Sequence, residues 1–120
     1  MTARVLRPAW IGLLLFTATA CASRPPPTLE QMQTERGRAV ALRACSGCHG
    51  VEPGVDSPNP RSPAFAGSEM QHTAGLEGRV ASLTRSGHYA MPPVSLSSGD
   101  LADLMAYIGA LGDAGTAPMR

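Results

Sequence analysis

The 120-residue sequence contains no lysine; its ten basic residues are all arginine and stand against nine acids. Arg4 and Arg7 fall in a leading segment of the export type, so eight arginines face nine acids in the remainder. Such a balance offers no basic face for nucleic acid and little long-range steering of a charged partner. Aromatics are scarce too, five in all, and Trp10 and Phe16 belong to the leading segment. Phe65, Tyr89 and Tyr107 are what remains. A domain of roughly 100 residues so poor in rings has a thin core of its own, and something other than side chains is expected to fill it. No run alternates in the manner of a strand, and there is no internal repeat. The longest apolar run is too short to span a bilayer comfortably.

That run, Ala9-Trp10-Ile11-Gly12-Leu13-Leu14-Leu15-Phe16, follows Arg4 and Arg7 and precedes small residues from Thr17 to Ala22. Residues 1–20 therefore read as a signal peptide, with a retained anchor as the alternative. Cys21 has two readings. Ala18-Thr19-Ala20-Cys21 resembles a bacterial lipobox, although Leu is usual where Ala18 stands. The alternative is ordinary cleavage after Ala20 or Ala22, both of which fit an A-x-A rule. Lipidation is the preferred expectation, because it gives Cys21 a role and leaves an even pair of cysteines. Residues 21–28, with Pro25-Pro26-Pro27, read as a semi-rigid tether, with a plain disordered N-terminus as the equal alternative.

Three helices are expected beyond it. The first covers residues 29–45, with Thr28 as cap and Gln31 closing a capping box; Gly37 interrupts it at a cost of about 1 kcal/mol against Ala, a mark of close backbone approach. The second covers about 76–86, with Leu76, Val80 and Leu83 on one face and Gly87 at its end. The third starts after Ser97, has Asp100 in its first turn, carries Leu101, Leu104, Met105, Ile108 and Leu111 at helical spacing, and stops at Gly112. Residues 50–75, rich in Pro and Gly, read as one long irregular loop, of the kind that wraps something. The domain is placed at 29–112 and a frayed tail at 113–120.

Cys45-Ser46-Gly47-Cys48-His49 carries the chemistry. C-x-x-C-H is the attachment signature of c-type haem. Two thiols at this spacing reach two porphyrin vinyl groups, and the adjoining histidine presents an imidazole nitrogen to the iron. A redox C-x-x-C would accompany a βαβ pattern, and a zinc site needs four suitably spaced ligands; neither is present. For the second axial ligand, Met91 is best placed. Pro92 biases it away from helical angles, and it lies 42 residues beyond His49. His88 is the alternative. Met105 belongs to the helix stripe, Met32, Met70 and Met119 have no supporting context, and His72 reads as a surface residue.

These features resemble the class I, small monohaem bacterial c-type cytochromes. The resemblance runs from Leu29 to Leu111. It rests on Gly37, the C-x-x-C-H run, Ser62-Pro63-Ala64-Phe65, Gly87-His88-Tyr89-Ala90-Met91-Pro92-Pro93 and the stretch from Leu101 to Ile108. It implies an all-α fold in which N- and C-terminal helices cross and long loops wrap one covalent haem c. It also implies Met91 as distal ligand, the Pro63 carbonyl as acceptor from the His49 ring, with Pro58 and Pro60 as alternatives, and a structural contact between Gly37 and Tyr107. Phe65, Leu83, Val94, Leu101, Leu104 and Ile108 are expected near the haem or the helix interface.

The function expected is one-electron transfer in the periplasm by a monomer that docks transiently with redox partner proteins, on a lipid anchor if Cys21 is modified, at the outer or inner membrane. Catalysis is not expected, because His/Met ligation leaves the iron no open position and raises its potential. The alternative is a haem-binding subunit, or a gas or redox sensor domain, of a larger respiratory complex.

Overall fold

In a computed structural model of the chain, the described residues are 24–76 and 78–116. The expected signal peptide, Cys21 and residues 117–120 of the tail lie outside them. Residues 24–28 are exposed and without regular structure. Four helices follow: α1 (Leu29–Ala44), α2 (Ser68–Gly75), α3 (Arg79–Ser86) and α4 (Ser98–Thr116). There is no strand among the described residues, only an isolated antiparallel bridge between His88 and Met91. The architecture is all-α, as expected.

Both long helices begin with reciprocal caps. At α1, the Gln31 N–H donates to Thr28 Oγ1 at 3.2 Å and the Thr28 N–H donates to Gln31 Oε1 at 2.8 Å. At α4, the Asp100 N–H donates to Ser97 Oγ at 3.0 Å, and the Ser97 N–H and hydroxyl donate to Asp100 Oδ2 at 3.2 and 2.6 Å. Each box satisfies backbone donors that the first helical turn leaves free.

The α1–α4 crossing is the main packing contact of the fold. Gly37 is buried there, and a Cβ on it would overlap the Asp103 carbonyl and come within 2.8 Å of Tyr107 Cβ. Arg36 adds a two-pronged bond to Asp103 at 2.7 and 3.0 Å across the same crossing. Val40, Ala41, Leu104, Ile108 and Leu111 complete the interface, joined by Val51, Phe65, Met70 and Tyr107 in one core. The Tyr107 hydroxyl donates to the Val51 carbonyl at 2.7 Å, which fastens the loop after the C-x-x-C-H run to α4.

Three expectations need correction. Residues 50–75 are not wholly irregular, because α2 occupies the last eight of them. Tertiary bonds hold it: Gln71 Nε2 donates to the Phe65 and Ile108 carbonyls at 2.8 and 2.9 Å, and Met70 is buried. The helix expected from 76 starts at Arg79, since Gly78 takes a left-handed φ of 69° immediately before it. The last helix does not stop at Gly112 but continues to Thr116, so residues 113–116 of the expected frayed tail are helical. The Gln71 side-chain amide packs against Gly112, where a Cβ would run into it unless that side chain shifted. No helix among the described residues is long and apolar enough to cross a membrane.

Candidate functional site

The C-x-x-C-H run forms a tight turn off the end of α1. The Cys48 and His49 N–H groups both donate to the Cys45 carbonyl, at 3.1 and 2.9 Å. This turns His49 inward and leaves Gly47 and Cys48 exposed. The following loop folds back on the run, with Asn59 N–H bonded to the Cys48 carbonyl at 3.2 Å and Phe65 N–H to the Gly50 carbonyl at 2.8 Å.

His49 is half-buried. Its Nδ1–H donates to the Pro63 carbonyl at 2.8 Å, with the Phe65 ring tilted against it at 5.5 Å between centroids. Nε2 is the ring nitrogen left over. A backbone acceptor at Nδ1 fixes the tautomer in which Nε2 carries a lone pair, as ligating histidines require.

Cys45 and Cys48 form no disulfide. Burial pushes the Cys45 thiol up to about 11, since the low-dielectric surroundings disfavour thiolate. A neutral sulfur, thiol or thioether, is what this position accommodates.

On the far side, the Gly87 N–H closes α3 on the Leu83 carbonyl at 2.9 Å. Gly87 has a φ of 72°, and a Cβ there would sit 2.8 Å from the Met91 carbonyl. Only glycine permits this tight entry into the 88–93 loop. The Val94 N–H donates to the Thr84 carbonyl at 2.7 Å and fastens the loop's far end to α3.

These pieces enclose a cavity of about 890 Å³, at the upper end of the ~300–1,000 Å³ usual for ligand pockets. Cys45, His49, Pro63 and Met91 all stand on its wall. Cys48 lies on the exposed side of its turn and Gly37 and Tyr107 at the helix crossing, off that wall. Phe65, Met70, Val80, Leu83, Leu104 and Ile108 make its apolar surface. Val94 and Leu101 are half-buried but are not part of it. Arg61 and Arg79 also line it; the ion pairs of the described residues use Arg36, Arg38 and Arg43 instead.

The wall fits a haem. It supplies a large apolar surface, a half-buried sulfur, an imidazole and a thioether, and two guanidinium groups suited to carboxylates at the periphery. The sequence reading missed Met70, Gln71, Arg61 and Arg79. Arg61 and Arg79 stand in stretches with no local pattern, and Met70 is the single buried apolar residue of its helix.

Three helices, α2, α3 and α4, around one cavity entered by a C-x-x-C-H turn off the end of α1 define a c-type cytochrome domain, which binds haem c covalently and serves electron transfer. Residues 32–108, well over half of the chain, match the family described as cytochrome c oxidase, cbb3-type, subunit III, and the chain belongs to that family. No curated protein and no solved structure matches the chain.

Proposed function

We propose that the protein is a one-electron carrier of the bacterial periplasm, with haem c attached through Cys45 and Cys48 and its iron held by His49 and Met91. The observation that carries this reading is the placement of His49, anchored at 2.8 Å to the Pro63 carbonyl, and Met91 on the wall of the same cavity. When bound, the haem supplies a reversible iron(III)/iron(II) couple.

The protein's residues do the rest. The bond from Nδ1 orients the His49 ring and increases the donor strength of Nε2. Together with the His49 imidazole, a Met91 thioether would favour the reduced state and would leave no coordination position for a substrate. Phe65, Leu83, Leu104 and Ile108 exclude water from the cavity. Arg61 and Arg79 would meet the haem carboxylates. The exposed Gly47, Cys48, Ala90 and Pro92 form the edge at which electrons would pass in small, transient encounters with redox partners. The leader and Cys21 support export and a lipid tether, and thioether attachment outside the cytoplasm agrees with both.

Carbon monoxide tests the carrier reading. Reduced protein at neutral pH with a firm Met91 ligand should bind almost none. Ready binding would contradict it and favour a gas sensor. The family match supports a second reading, a domain serving a larger respiratory complex. Native sizing after gentle solubilisation separates the two: a carrier runs alone, a subunit with partner chains.

A further inference from the structure

His88 and Met91 are joined by two reciprocal backbone bonds, His88 N–H to the Met91 carbonyl at 3.0 Å and Met91 N–H to the His88 carbonyl at 2.8 Å. They form an isolated antiparallel bridge closed by the two residues between them. Directly opposed residues of such a pair put their side chains on one face, with Cβ atoms roughly 5 Å apart. Both residues accordingly line the haem cavity.

Tyr89 takes a left-handed φ of 47° at the tip, and its side chain is 98% exposed. Its ring meets the His88 ring edge-on, with centroids 4.2 Å apart. His88 thus rests against a solvent-exposed ring instead of being packed into the core.

We propose that His88 is a second distal iron ligand, held in reserve beside Met91 on the same turn. The proposal rests on the His49/Met91 reading given above. The composition narrows the field, because the chain has no lysine and therefore no side-chain amine to compete. Of its three histidines, His49 is the proximal ligand and His72 lies on α2 off the cavity wall, whereas His88, though itself exposed, is on that wall. In the exchange, one sulfur–iron bond breaks and one nitrogen–iron bond forms, with no change in oxidation state. Imidazole in place of thioether lowers the reduction potential, so the exchange would withdraw the protein from a high-potential chain without unfolding it.

The test uses full-length holoprotein and optical and electron-spin-resonance spectra of the oxidised iron. Met91→Leu keeps the side-chain volume and removes the donor. It should lose the far-red band of thioether ligation, remain six-coordinate and low-spin, and show a lower potential. Adding His88→Ala should make it high-spin and let the reduced form bind carbon monoxide. Met91→Ala gives a second background with the same expectation.

A high-spin Met91→Leu protein that His88→Ala does not change overturns the reserve ligand and leaves the His49/Met91 reading standing. A far-red band that survives Met91→Leu, or a high-spin product from His88→Ala alone, overturns that underlying reading and the proposal with it.

Discussion

Gly37 and Tyr107 touch where α1 crosses α4, so closely that a Cβ on Gly37 would lie 2.8 Å from Tyr107 Cβ and overlap the Asp103 carbonyl. Helix propensity alone favours alanine over glycine by about 1 kcal/mol. Packing reverses the sign here. Gly37→Ala is expected to destabilise the holoprotein by about 1–3 kcal/mol, as over-packed cores do. Denaturant midpoints measure this, and a gain in stability would show that the helices do not cross so tightly.

Tyr107→Phe keeps the ring and removes the 2.7 Å bond to the Val51 carbonyl. That carbonyl belongs to a buried residue, so a loss of about 1–3 kcal/mol is expected. The haem spectrum should not change, because the hydroxyl acts on the loop and not on the cavity. An altered spectrum with unchanged stability would place Tyr107 in a different role.

Gln71→Ala removes both side-chain bonds that hold α2, those to the Phe65 and Ile108 carbonyls. The effect should be local. Amide exchange in residues 68–75 should quicken by at least tenfold, about 1.4 kcal/mol of opening free energy, while the α1–α4 crossing keeps its protection. Uniform loss of protection would mean that α2 does not open as a separate unit.

Acid should loosen the start of α4. Bonds from Ser97, foremost its hydroxyl, hold the Asp100 carboxyl below its ordinary value, with Arg43 adding attraction. A depressed carboxyl stabilises the fold above the unfolded value near ~3.9, and that contribution is lost as pH falls through the lower folded value. Thermal midpoints from pH 7 to pH 2 should therefore fall more for the natural protein than for Asp100→Asn. Parallel curves would remove Asp100 from the account.

What was legible in the sequence is local. The spacing of Cys45, Cys48 and His49, the Thr28–Gln31 and Ser97–Asp100 caps, and the apolar stripe of the last helix each follow from residues within a turn or two of one another. What was hidden is tertiary. The eight residues of α2 offer one buried apolar side chain and sit in a Pro- and Gly-rich stretch, and the helix is held by bonds from Gln71 to carbonyls elsewhere in the chain. Gly112 carries the local signature of a helix end, yet the helix runs through it and the Gln71 amide packs against it. Arg61 and Arg79 join the cavity only through the path of the loop and α3.

The most direct measurement is the intact mass and absorption spectrum of mature protein made in cells with a working periplasmic cytochrome-assembly system. The account predicts a red protein carrying the mass of one haem that survives denaturation and acid–acetone extraction. The increment should be absent from Cys45→Ala/Cys48→Ala, whose helix content should fall because the cavity wall then has nothing to pack against. A colourless, folded protein with the bare polypeptide mass would contradict the account at its centre.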